Sequence, residues 1–378
     1  MSAPITFLMY DVSGRGGVAR SVVNLANRLA DHRDVRVVSL HRRAGRPTYD
    51  LDPRVSLEVL VGDAVRSPVD RLRRRRPTAL RPVPAEKHMT RLTDRVLRRR
   101  LATLEPGVLI STRPSLHLAA VRWAAPGVRL VGQDHKNFST RFSGARQAGV
   151  LREVVPRLDA YVVLTHADAE DYRRELPGLT TRVDVIRNAL PWPPADTPAP
   201  LASKVVVAAG RLAKEKGFGR MLEAFAPVAR VHRDWQLHIY GEGPQRGVLT
   251  DKVRRLRLDD QVRLPGYADD FRGVLAGAAT YAMTSRAEGF PMVLIEALSV
   301  GLPLVAMDCP RGPGEIVRDG KNGFLVDDCD IAGFGDALGL LVENHELRRD
   351  CGRQALEDSR RYTAEAVLAD WLTLLDDL

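Results

Sequence analysis

The chain has 378 residues, long enough for two domains with full cores, and its 44% hydrophobic and 28% charged content is that of a globular protein. No apolar run approaches the ~18 residues that a membrane-spanning helix needs, and Cys309, Cys329 and Cys351 match no zinc spacing. The net charge of +10 is uneven: residues 1–200 hold 34 Lys+Arg against 20 Asp+Glu (+14), and the remainder 23 against 27 (−4).

The N-terminus, MSAPITFLMYDVSG, lacks the basic region and cleavage site of a signal peptide. The cysteines then read as small buried or half-buried thiols in a reducing compartment, which makes the expected location cytoplasmic. Ile5 to Tyr10 reads as a buried first strand and Asp11 to Gly17 as the loop leaving it. Val18, Val22, Leu25, Ala26 and Leu29 have helical spacing, so Val18 to Leu29 is a helix. Strand, Gly-rich loop and helix make the first βα unit of an open parallel sheet. Gly16 and Gly17 would let a ligand approach the backbone at a helix start, although a tight turn explains the pair equally well. No G-x-G-x-x-G dinucleotide fingerprint follows.

Val35 to Leu40 and Val55 to Val61 are the next strands. The segment from Arg66 to Arg100 carries Arg71 and Arg73 to Arg76, a Pro-rich break, then Arg91, Arg95 and Arg98 to Arg100. Val96, Leu97 and Leu101 put apolar surface between these charges. It reads either as a basic helix pair facing a membrane or a polyanion, or as a solvated insertion. No heptad, repeat or aromatic interleaving supports nucleic-acid recognition. Gly107 to Ile110, Arg129 to Gly132, Ala160 to Thr165 and Arg182 to Ile186 are strands, and His166 to Glu175 is a helix. His135, just past the second of these strands, lies where parallel sheets bind ligands. Pro191 to Pro200 holds too many prolines for a helix or a central strand and reads as a stiff linker over 189–202.

Beyond the linker the strand–loop–helix logic repeats. Lys204 to Ala208 leads into Gly210-Arg211-Leu212-Ala213-Lys214-Glu215-Lys216-Gly217, whose Arg211 and Lys216 are two cations at a sheet edge. Gln236 to Tyr240 ends in Gly241-Glu242-Gly243-Pro244, and Val262 to Leu264 in Pro265-Gly266-Tyr267. In Thr284 to Glu315 a polar turn ends at Glu288-Gly289-Phe290-Pro291, and Met292 to Val300 reads as a buried helix stopped by Gly301. Leu302 to Ala306 is a strand, and the Gly/Pro turn 310–314 precedes Glu315. A helix opening after such a turn aims unpaired N–H groups, those of Met292 and Val293 among them, at one spot, which suits a phosphate. Glu288 outside the helix and Glu296 within it could reach either side of that phosphate; two solvated acids are the plain alternative. Tyr362 to Leu378 is a closing amphipathic helix.

Glu288-Gly289-Phe290-Pro291 followed by Glu296-Ala297 resembles the signature of the retaining nucleotide-sugar glycosyltransferases of family 4. The likeness continues in Gly210-Arg211-Leu212 with Lys216-Gly217, in Gly312-Pro313-Gly314-Glu315-Ile316 and in Asn322-Gly323, so it covers nearly all of residues 203 to 330. It implies a GT-B type α/β fold, two Rossmann-like doubly wound parallel-sheet domains facing across a cleft. Residues 1–188 would bind the acceptor and 203–361 the nucleotide sugar, with 362–378 crossing back to the first domain. The resemblance implies Arg211 and Lys216 as the diphosphate clamp, Gly289, Phe290, Pro291, Met292 and Val293 as backbone contacts, and Glu296 on the ribose. It also implies Glu288 and His135 as catalytic-centre residues, Gly16 and Gly17 beside the diphosphate, and the turns 241–244 and 265–267 beside the base and ribose.

The resemblance implies no metal and no cofactor, so the expected reaction is metal-independent hexosyl transfer with retention, the nucleoside diphosphate sugar, UDP-linked by preference, being a co-substrate. The expected acceptor is a hydroxyl of a teichoic-type polymer, a lipid-linked sugar or another surface glycan, with peripheral contact to the inner membrane face through the basic first domain. Natural-product glycosylation is the alternative within the class. An epimerase, a phosphorylase or a non-catalytic sugar-nucleotide-binding protein of the same architecture is the alternative outside it.

Overall fold

The computed structural model of the chain describes residues 3–14, 16–42, 46–62, 67–80 and 89–378. They form two compact units, Met1–Ala189 with Val367–Leu378, and Leu190–Ala366. Arg15, Arg66 and the Pro-rich break at 81–88 lie outside the described residues.

The first unit holds seven parallel strands: β1 (Ile5–Asp11), β2 (Val35–His41), β3 (Ser56–Val61), β4 (Gly107–Ser111), β5 (Val128–Gln133), β6 (Ala160–Val163) and β7 (Arg182–Val185). Their order is β3-β2-β1-β4-β5-β6-β7. Apolar runs of this kind form strands buried on both faces, because helices cover both sides of a parallel sheet. Successive side chains alternate accordingly: Ile5, Phe7 and Met9 enter one core, Leu8 and Tyr10 the other. The closing helix, Ala364–Asp376, buries Val367, Trp371, Leu374 and Leu375 in the core with Ile5 and Phe7. Asp376 pairs with Arg33, and Asp377 with Arg182 at 2.7 Å. The Arg-rich segment contains two helices, Pro68–Arg75 and Arg91–Leu101.

The second unit holds six parallel strands: β8 (Val205–Ala209), β9 (Gln236–Tyr240), β10 (Val262–Gly266), β11 (Thr280–Met283), β12 (Leu304–Asp308) and β13 (Gly323–Asp327). The order is β10-β9-β8-β11-β12-β13. Strands β11 and β13 escape the sequence reading: one has four residues and the other is led in by a turn motif. The helix after Pro291 runs Met292–Leu298, two residues short of the expected end, and Gly301 follows at φ 69°. The strand after it starts at Leu304, because Leu302 and Pro303 complete the turn. Residues 191–200 carry no regular element but are held against their own unit. Ala195 and Ala199 donate backbone N–H bonds to Ser299 and Val300 carbonyls (2.7 and 2.8 Å), and Trp192 Nε1 donates to Ser299 Oγ at 2.9 Å. Cys309 and Cys351 are buried, but Cys329 is exposed, in the turn after β13 at φ 74°.

In each sheet the strand order reverses once, between β1 and β4 and between β8 and β11. Loops leaving neighbouring strands diverge at such a point and open a crevice at the carboxyl edge.

Candidate active site

At the second switch point the loop after β8 packs between the loops after β9 and β11. Gly210 N–H donates to Tyr240 O (3.0 Å), Leu212 N–H to Glu242 O (2.9 Å), and Arg286 N–H to Glu215 O (2.8 Å). Thr284 Oγ1 donates to Gly217 O at 3.1 Å. Two positions demand glycine for this closeness. Gly217 sits at φ 67° with Thr284 O where a Cβ would go, and Gly241 at φ 127° with Gly210 O there.

These contacts bring Lys216 to Glu288, with Nζ donating to Oε1 at 2.6 Å. The Lys216 stem lies over Gly210, where a Cβ would meet it at 3.5 Å. Arg211, on the same loop, is exposed and has no carboxylate partner among the described residues. Neither acid is solvated: the Glu288 side chain is 11% exposed and Glu296 is buried. Burial pushes the Tyr281 phenol up, and the Glu296 and Glu288 carboxylates add to that push. The phenol donates to Ala209 O (3.2 Å) and accepts from Ala209 N–H (3.0 Å) at the end of β8. Burial likewise pushes the Cys309 thiol up to about 12, with Glu288 adding and Lys216 opposing.

Phe290 is buried and packs on Tyr362 with ring centroids 5.8 Å apart, so only its backbone can serve a ligand. No side chain caps the helix start after Pro291, and Leu294 N–H is taken by Pro291 O at 2.9 Å. Gly289, Met292 and Val293 are half-buried around this start. Asn322 is structural: Oδ1 accepts from Arg318 N–H (2.9 Å) and Nδ2 donates to Ile316 O (3.0 Å).

At the carboxyl edge of the first sheet, Gly16 and Gly17 open the helix Gly17–Leu29, which no side chain caps. A Cβ on either would meet nothing within 4 Å, and Gly16 has φ −86°. Crowding and backbone strain therefore do not explain the pair, which weakens the tight-turn reading. His135 is half-buried, with Nε2 lacking a hydrogen-bond partner among the described residues. Burial pushes its imidazole down to about 4; Asp134 opposes, and Arg141 and Arg113 add.

Sequence reasoning missed what lies beneath His135. Asp134 takes a bidentate pair of bonds from Arg141 (Nε to Oδ2 2.9 Å and Nη2 to Oδ1 2.5 Å) and one each from Tyr161 (2.8 Å) and Tyr172 (3.0 Å). Burial pushes the Asp134 carboxyl up, but Arg141 outweighs it and holds it at about 2. His117, wholly buried, shares a hydrogen bond with Ser111 Oγ at 2.7 Å, and burial drops it to about 3. These groups come from separate elements, so no spacing announces them. Among the described residues no three His, Cys, Asp or Glu are grouped to hold a metal ion, and no helix is long and apolar enough to cross a membrane.

Comparison with known proteins follows the same division. Residues 15–191 match Glycosyltransferase Family 4, and residues 194–358 match Glycosyl transferases group 1. The chain is 32% identical over 395 residues to an exopolysaccharide phosphotransferase of Streptomyces coelicolor, an alignment covering 99% of this chain and 41% of that protein. The amylovoran biosynthesis glycosyltransferase AmsD of Erwinia amylovora is 28% identical, with 98% of this chain and 99% of that one aligned. Among solved structures, a mutant TarM of S. aureus in complex with fondaparinux, alpha-GlcNAc-glycerol and UDP superposes with a TM-score of 0.79 at 16% identity, over 99% of both chains. That structural likeness carries the fold, and both halves of the sequence match glycosyltransferases: the chain belongs to glycosyltransferase family 4, with two Rossmann-like domains of the GT-B type.

Proposed function

We propose that the chain moves a hexose from UDP to a hydroxyl of an anionic surface polymer or a lipid-linked glycan, with retention and without a metal. The observation that carries this reading is the Lys216–Glu288 pair at the β8/β11 switch point, with Arg211, which has no carboxylate partner among the described residues, on the same loop. A leaving diphosphate gains charge as the bond from the anomeric carbon to its oxygen breaks. Two cations and the N–H groups of Met292 and Val293 can meet that charge. Backbone groups of Gly289 and Phe290 and the Glu288 carboxylate hold the cationic sugar ring, and Glu296 accepts from the ribose hydroxyls. The acceptor oxygen attacks on the face the phosphate leaves, and its proton passes to the departing phosphate oxygen. Glu288, held by Lys216, orients and stabilises and is not a nucleophile. His135, kept neutral, contacts sugar or acceptor as a hydrogen-bond partner, and Gly16 and Gly17 lend open backbone beside the diphosphate.

The UDP assignment leans on the ligand of the TarM complex, and the polymer acceptor on the exopolysaccharide and amylovoran relatives. The phosphotransferase name belongs to a protein of which this chain spans 41%, so phosphoryl transfer is not assigned here. Calorimetric titration with UDP, joined to a UDP-release assay with UDP-hexoses, tests the reading. Arg211→Ala and Lys216→Ala should each weaken UDP binding about 10- to 100-fold, the worth of one charge-assisted contact. Unchanged affinity and turnover in both variants overturn the clamp. A glycosyl adduct trapped on Glu288 overturns its assigned role, and affinity for guanosine or adenosine diphosphate above that for UDP overturns the donor.

A further inference from the structure

Of the three cysteines only Cys329 is exposed; burial pushes the thiols of Cys309 and Cys351 up, that of Cys309 to about 12. Cys329 lies in the turn between β13 and the helix Ile331–Glu343, where its carbonyl accepts from Ile331 N–H at 3.0 Å. The thiol is not alone there. Arg220, in the first turn of helix Phe218–Val231, brings its guanidinium onto the sulfur: Nη1 is 3.4 Å from Cys329 Sγ, 3.5 Å from Met307 Sδ and 2.7 Å from Asp328 Oδ1. The Arg220 side chain is 6% exposed, yet its Nε and Nη2 have no hydrogen-bond partner among the described residues. A guanidinium carries its N–H donors in a fixed fork, and burying some of them unused is costly. The acids near the thiol are engaged or open to water. Asp328 pairs with Arg220, Asp330 accepts from Gly333 N–H at 2.9 Å and caps the next helix, and Asp327 is exposed.

We propose that Cys329 is a site of reversible oxidation by hydroperoxides, with Arg220 as the group that receives the oxygen. Sulfur attacks the nearer peroxide oxygen, the O–O bond breaks, and the departing hydroxide takes the thiol proton and leaves as water. Sulfur loses two electrons and the peroxide gains them, so the product is a sulfenic acid. Its oxygen, one bond from an atom 3.4 Å from Nη1, is an acceptor that the guanidinium otherwise lacks. Charge selects the oxidant: the carboxylates of Asp327, Asp328 and Asp330 repel an anionic disulfide, whereas hydrogen peroxide is small and uncharged. A small thiol then condenses with the sulfenic acid to a mixed disulfide, releasing water, and a second thiol restores Cys329. The site lies within the second unit and is independent of which sugar is moved.

The test treats the full chain with hydrogen peroxide and dimedone, which captures sulfenic acids, and reads the peptides by mass spectrometry. An adduct on Cys329, with none on Cys309 or Cys351, is expected. Arg220→Met should slow adduct formation about tenfold, the worth of one charge-assisted bond. Arg220→Lys keeps the charge, gives up the fork and should recover only part of that rate. Alkylation by iodoacetamide delivers no oxygen to the guanidinium, so it should fall less than oxidation in both variants. No Cys329 adduct in the parent overturns the inference whether or not either variant folds, and so does an earlier adduct on Cys309 or Cys351. Oxidation that is unchanged in both variants, or that falls no further than alkylation, removes Arg220 from the site and overturns it as well.

Discussion

At the carboxyl edge of the second sheet, loops are held backbone against backbone, with Gly217 and Gly241 as the points of closest approach. At the same edge of the first sheet a buried charge, Asp134, is shared by one arginine and two tyrosines under a half-buried histidine. The first construction fixes main-chain N–H groups and a lysine–glutamate pair, which suits a charged ligand that never changes. The second sets a fully buried, paired carboxylate next to the imidazole, and its partners come from three different elements.

Breaking the buried network should have the largest effect. Asp134→Ala strands the Arg141 guanidinium and should cost the first unit about 3–5 kcal/mol, read by hydrogen exchange in peptides covering β5 and β6. Asp134→Leu with Arg141→Met should recover much of that loss; equal damage in single and double variants would mean that the pair is not what holds this edge.

Acid sharpens the contrast next. His135 and His117 titrate at about 4 and about 3 when folded, below the ordinary imidazole value of 6.5. The unfolded chain therefore takes up protons first as pH falls, and the stability these groups lend is full above about pH 6.5 and lost as the folded values are approached. A loss on the order of 3 kcal/mol between about pH 6.5 and 4.5 is expected for the two groups together. His135→Asn should reduce it, and a flat profile over that range would remove the neutral-imidazole assignment.

In the second unit Gly217→Ala should cost at least about 2 kcal/mol, because the residue must hold a left-handed backbone against Thr284 O. Thermal unfolding followed with and without UDP checks it; a neutral result would mean that the β8 and β11 loops can part freely. The smallest stability change separates function from fold. Gly17→Ala meets no neighbour and lies in a helix, so it should raise stability by about 0.5 kcal/mol. UDP release should fall all the same if open backbone there serves the ligand. Unchanged turnover would return Gly17 to an ordinary helix start.

Much of the scaffold was legible because its signals are local. Val35 to His41 and Val205 to Ala209 are short Val-rich runs that read as buried strands, and Gly210 ends the second. The run from Glu288 to Glu296 was legible as a turn opening a helix for the same reason. β11 was missed because a run of four residues ahead of a motif carries no period, and Cys329 was misjudged because exposure in a turn depends on what packs nearby.

By itself the sequence determined two βα-rich halves, the unequal charge of those halves, and the family motifs that name the chemistry. Only the tertiary structure decided that Lys216 meets Glu288 across 72 residues, that neither acid of the motif is solvated, and that Asp134, Arg141, Tyr161 and Tyr172 share one buried charge. The physical reason is one of range. Propensity and periodicity act over a few residues, whereas desolvation and pairing of charge depend on which strands a parallel sheet sets side by side, and that order is written in no single stretch of the chain.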